Sequence, residues 1–131
     1  MSKPHASKHA SSAIWENHVS PADGPPGFTL RTTYPGNPNG AEVMLERWVA
    51  GSSEPPHSHP GDDMTVVVEG QMVVQFFTKS GGELLPDGEP ITLRSGDVGY
   101  VQANRIHDAR YIEDCKLVYV HDRAFGFVAE G

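Results

Sequence analysis

The chain has 131 residues, about one domain's worth and enough to enclose a single core. Against 10 Lys and Arg stand 17 Asp and Glu, and the formal charge of -7 argues against a phosphate-binding surface and so against nucleic acid as a partner. Cys115 is the sole cysteine, the N-terminus lacks the apolar segment of a secretory signal, and no apolar run approaches the ~18 residues that cross a bilayer, so a soluble cytoplasmic protein without membrane contact is expected.

In chain order, residues 1–13, MSKPHASKHASSA, are polar and without apolar periodicity; they read as a flexible N-terminal arm that orders only against a partner subunit. His5 and His9 in that arm read as solvated residues rather than metal ligands. Residues 14–131 read as one domain, opening with Trp15 and the turn-rich SPADGPPG, an edge segment that packs one aromatic. Then come FTLRTTY, AEVMLERWVA, DMTVVVEG and QMVVQFFTK, rich in β-branched and aromatic residues and divided by PGNPNG, GSSEPP and SGG. PITL, DVGYVQ, HDARYI and KLVYVHD follow, cut apart by PDGEP, RSGD, AN and EDC. AEVMLERW has helical propensity, but its place between two turn segments and among strands favours β. Many short strands without a βαβ rhythm predict an all-β sandwich or small barrel.

The stretch Gly51 to Gly70, GSSEPPHSHPGDDMTVVVEG, carries the chemistry. Residues two apart share a face on a strand but diverge on a helix, so only an extended backbone lets His57 and His59 meet one ion. Pro55 and Pro56 exclude a helix before His57, and Pro60 disfavours helical geometry at His59. Asp62 and Asp63 follow and point to opposite faces, so only one can join the pair. Glu69 has the parity of Asp63 but lies six residues on, about 20 Å at ~3.3 Å per residue, and reads as a strand-end or mouth residue. Glu54 is an odd number of positions before His57 and reads as a solvated loop charge.

These residues resemble the first cupin motif, G(X)5HXH(X)3,4E(X)6G, with Gly51, His57, His59 and Gly70 in register and Asp63 where the glutamate usually stands. GDVGYVQANRIH resembles the second motif, G(X)5PXG(X)2H, with Gly96 and His107 in place, Gln102 for proline and Asn104 for glycine. Asparagine accepts a left-handed turn, so the change at Asn104 is one the backbone tolerates. Tyr111 stands where some relatives carry an asparagine. The resemblance covers roughly residues 28–120 and implies a double-stranded β-helix, or jelly-roll barrel, with a metal in its mouth and a homodimer built on edge strands. It implies one divalent transition metal (Fe, Mn, Ni or Zn) held by His57, His59 and His107, with Asp63 as the fourth ligand. The short Asp63 side chain fits loose or water-bridged ligation, or a role in orienting a histidine.

Smaller candidates complete the reading. His121 is a candidate base at the mouth, weighed against a surface or interface histidine beside Asp122. Tyr100 and Tyr119 are candidates for the cavity wall or core, and Arg47 and Arg105 for a carboxylate clamp or ordinary ion pairs. Trp48, Phe76 and Phe77 read as core or interface. Two functions are consistent with this set. One is a metal-dependent enzyme acting on a small oxygenated organic molecule by isomerase, lyase or dioxygenase chemistry. The other is a non-catalytic small-molecule-binding or sensor barrel, with no DNA-reading helix expected after His121.

Overall fold

The structure, a computed structural model, describes residues 15, 18–32, 42–123 and 126–130. The expected arm, with His5 and His9, lies outside the described residues, as do the last two residues of FTLRTTY. Among the described residues, eleven strands follow in order: β1 Phe28–Thr32, β2 Glu42–Trp48, β3 Ser53–Ser58, β4 Asp63–Glu69, β5 Gln71–Ser80, β6 Glu83–Pro86, β7 Ile91–Arg94, β8 Val98–Val101, β9 His107–Tyr111, β10 Cys115–His121 and β11 Val128–Ala129. They form two sheets, β1-β2-β10-β4-β8 and β11-β3-β9-β5-β6, with β7 also on β5. Every pairing is antiparallel. This is the double-stranded β-helix that the motifs imply. None of the described helical segments is long and apolar enough to cross a membrane.

EVMLERW resolves as strand because both its edges are used: β2 pairs with β1 on one side and β10 on the other. Alternation then places Met44, Glu46 and Trp48 on one face, while Arg47 is exposed. In β10 the alternation is complete, with Cys115, Leu117, Tyr119 and His121 buried and the residues between them half-buried.

One sequence expectation needs correcting. GSSEPP reads as a turn, yet residues 53–58 pair with β9 despite two prolines. The ladder matches Ser53 to Arg110 and Glu54 to Ala109, then resumes at His57 opposite His107. Three steps on β3 thus span two on β9, and Pro55 and Pro56 occupy the bulge, where their missing N–H groups cost no ladder bond.

Two turns tie the barrel together. Gly70, between β4 and β5, has φ 101°, and a Cβ there would run into the Asp114 carbonyl oxygen. Asn104 takes the left-handed conformation expected of it, at φ 64°, and its N–H donates to the His59 carbonyl at 2.8 Å. That bond fastens the second motif to the first. In the core, Phe28, Trp48 and Tyr111 stack with centroids 4.4 and 4.2 Å apart among Val67, Met72 and Leu117.

Candidate metal centre

The β3–β9 ladder sets His57 directly opposite His107, and His59 follows just beyond the end of β3. The three rings lie with centroids 4.7, 4.3 and 5.3 Å apart. One nitrogen from each falls within 4.8 Å of the other two, and all three residues are buried. Each Nδ1 meets a backbone carbonyl: His57 that of Pro55 at 2.6 Å, His59 that of Gly126 at 2.7 Å, His107 that of Arg105 at 2.9 Å. A carbonyl oxygen only accepts, so each Nδ1 carries a proton and Nε2 is the nitrogen left for an ion. Burial supports the neutral form, lowering the pKa of His59 to about 4 and of His107 to about 3. Three imidazoles oriented by carbonyl acceptors fit a divalent transition metal.

The triad stands in the wall of a cavity of about 770 Å³. Asp63, at the head of β4, lines the same cavity; its Oδ2 accepts the Tyr119 hydroxyl at 3.0 Å, and burial raises its pKa to about 7. It lies outside the group formed by the three histidine nitrogens. Tyr119 is buried on the cavity wall with its hydroxyl satisfied, both of the roles considered for it.

Glu54 overturns its reading as a solvated loop charge. The Pro55–Pro56 bulge reverses the parity between Glu54 and His57, so both face inward. Glu54 Oε1 lies 3.7 Å from His57 Nε2, and Oε2 accepts the Tyr111 hydroxyl at 2.6 Å. Desolvation is the main cause of its raised pKa. Glu46 is a third inward carboxyl, 8 % exposed, with Oε1 accepting from Trp48 Nε1 at 2.9 Å. Burial first, and then the charge of Glu54, push its pKa up to about 8. The sequence reading passed over Glu46, although its alternation with Met44 and Trp48 marks it as inward.

The C-terminal segment also belongs to the site. Besides the Gly126 carbonyl on His59, the Phe127 ring stacks on His57 at 4.6 Å. β11 pairs with β3, the Glu130 N–H donates to the Pro56 carbonyl at 3.1 Å, and the Glu130 carboxylate takes Ser58 Oγ at 2.9 Å and Lys79 Nζ at 3.0 Å. No motif spacing announces this strap, because its contacts join residues about seventy positions apart.

Other candidates fall elsewhere. Tyr100 is 71 % exposed: Asp63 pairs with Val101 on the cavity side, so Tyr100, the next residue along β8, must face out. His121 is fully buried rather than a surface residue; its Nε2 accepts the Gly61 N–H at 3.2 Å, and its ring lies 5.8 Å from that of His59. Arg47 is exposed and donates to the Trp15 carbonyl at 3.2 Å. Arg105 lies over the Phe76 ring, donating to the Phe77 carbonyl at 2.9 Å and to Asp87 at 2.7 Å. Neither arginine lines the cavity. Glu69 ends β4 beside Lys116, far along the strand from Asp63.

Comparison with known proteins agrees with this geometry. A cupin domain family model matches residues 44–121. No curated protein matches the sequence significantly. Among solved structures, one of an oxalate oxidase is similar at a TM-score of 0.64 and 20% identity, over 85% of this chain and 59% of that one. KdgF from Halomonas sp. is similar at a TM-score of 0.59 and 21% identity, covering 75% of this chain and 82% of that one. A salicylate 1,2-dioxygenase mutant from Pseudoaminobacter salicylatoxidans is similar at 0.60 and 19% identity, over 74% of this chain but only 26% of the larger protein. With the family model spanning more than half of its length, and both motif histidine sets meeting inside a double-stranded β-helix, the chain belongs to the cupin family.

Proposed function

We propose that the protein is a metal-dependent enzyme acting on a small oxygenated organic molecule, by isomerase, lyase or dioxygenase chemistry. The observation that carries this is the convergence of three buried histidine nitrogens, each ring fixed through its Nδ1, on the wall of a cavity large enough for such a molecule. His57, His59 and His107 would hold one divalent ion, Fe, Mn, Ni or Zn. When bound, such an ion supplies a Lewis acid able to polarise a substrate oxygen. Enzymes among the structurally similar proteins, an oxalate oxidase and a salicylate dioxygenase, support the reading.

The chain's own groups define the rest of the site. Asp63, steadied by the Tyr119 hydroxyl, offers its carboxyl to a water or substrate oxygen next to the triad. Glu54 sits against His57 and is held by Tyr111, placing an acceptor beside any molecule that reaches the triad. Phe127 and the apolar wall exclude water around them.

Elemental analysis of protein purified without added chelator tests the proposal, followed by oxygen-uptake and ultraviolet screens against diketones, thiols and sugar acids. Metal near one per chain with turnover of any of these is the expected result. A metal-free barrel, or ligand binding without turnover, overturns the enzyme reading in favour of a binding module.

A further inference from the structure

We infer that the cavity is built for an uncharged organic molecule and turns carboxylates away. This rests on the metal-centre reading and narrows it to a substrate class. The described residues lining the cavity include five carboxyls, Asp23, Glu42, Glu46, Glu54 and Asp63, and no lysine or arginine. The chain has 10 Lys and Arg in all, and each one whose side chain is described is placed elsewhere. Lys79, Arg105, Lys116 and Arg123 face carboxylates outside the cavity, while Arg47, Arg94 and Arg110 are exposed.

An anion that leaves water for an apolar cavity needs a cation or several donors to replace its hydration. Any ion that the triad would hold would share its charge with Glu54, 3.7 Å from His57 Nε2, and with Asp63 on the same cavity wall, and a carboxylate would meet both. Much of the remaining wall is apolar, formed by Met44, Met72, Val74, Ala109 and Leu117, and its polar members, Thr65, Tyr111 and Tyr119, are uncharged hydroxyls. Glu46 adds a hydrogen-bonding group suited to a neutral guest. It is buried in that wall, and the only hydrogen bond its side chain makes among the described residues is from Trp48. With its pKa pushed up to about 8 it is largely protonated at neutral pH and donates to a guest oxygen, but it supplies no positive charge with which to hold a carboxylate.

The test compares two probes of nearly equal shape, salicylamide and salicylate, on full-length protein loaded with Co(II), whose visible spectrum reports binding at the triad without requiring turnover. At pH 7 salicylamide is expected to bind at least tenfold more tightly than salicylate. Glu46→Lys is expected to shift that ratio at least tenfold toward salicylate; Thr65→Lys, on the same cavity wall, serves if Glu46→Lys does not fold. Equal or tighter binding of salicylate, an unchanged ratio in a folded lysine variant, or binding of neither probe to cobalt-loaded protein overturns the inference and leaves the metal centre standing. Failure to take up cobalt overturns the metal-centre reading itself.

Discussion

At the scale of single residues, the three histidines are prepared for an ion by what they donate to. Each Nδ1 proton goes to a main-chain carbonyl that belongs to the fold, so no ring has to turn when a ligand arrives. Replacing His57 or His107 by alanine is expected to reduce bound metal from about one per chain to less than about a tenth, read by elemental analysis, while circular dichroism still shows a β-rich fold. Glu46 makes a separate prediction about pH. In the unfolded chain it titrates near 4.5 and in the fold near 8, so between those values the folded protein carries the extra proton. Its favourable contribution is full below pH 4.5 and disappears as pH rises through 8, at about 1.4 kcal/mol per pH unit within that window. Chelator-treated protein is therefore expected to lose thermal stability between pH 6.5 and 8.5, and Glu46→Gln, which cannot ionise, to lose clearly less. Parallel melting curves for the two proteins would refute this.

At the scale of elements, two local devices govern how the strands present these groups. Asn104 holds φ 64° in the turn before β9 and so sets where His107 begins. Asn104→Ala is expected to cost about 1 kcal/mol in urea unfolding, whereas Asn104→Gly stays within about 0.5 kcal/mol of the parent. The strap makes the second prediction. Deleting residues 126–131 removes the acceptor of His59 and the ring on His57, and metal affinity measured by chelator competition is expected to fall about 10- to 100-fold. Phe127→Ala, which keeps the Gly126 carbonyl, should fall less.

The same elements show why part of this was legible beforehand. Alternation and turn residues announce most strands, and the HXH spacing with the distant His107 announces the triad, because both follow from a period of two. Glu54 was hidden because a bulge changes the period between it and His57, and β3 because prolines imitate a turn. Tyr100 was misplaced because the sequence does not reveal which parity of β8 faces in; only its pairing to Asp63 through Val101 does. The strap was invisible because main-chain carbonyls such as that of Gly126 leave no trace in side-chain pattern.

At the scale of the whole molecule, the two sheets enclose an acidic, partly apolar interior and leave edges to be managed. β8 ends its sheet with Val98 and Tyr100 exposed on it, 41 % and 71 %, beside the half-exposed Val68. An edge of that kind favours pairing with a second copy, and a homodimer is expected by light scattering on a sizing column. A monomer mass at micromolar concentration would exclude it.

The Glu130 latch has a practical corollary for anyone handling the protein. A polyhistidine tag appended after Gly131 would emerge one residue from a carboxylate clamped to Ser58 and Lys79, within reach of the His57–His59–His107 mouth. It would bring six competing imidazoles to the place where the native three are meant to work alone. Purification handles belong at the opposite terminus, and metal analyses made with a C-terminal tag would describe the tag as much as the barrel.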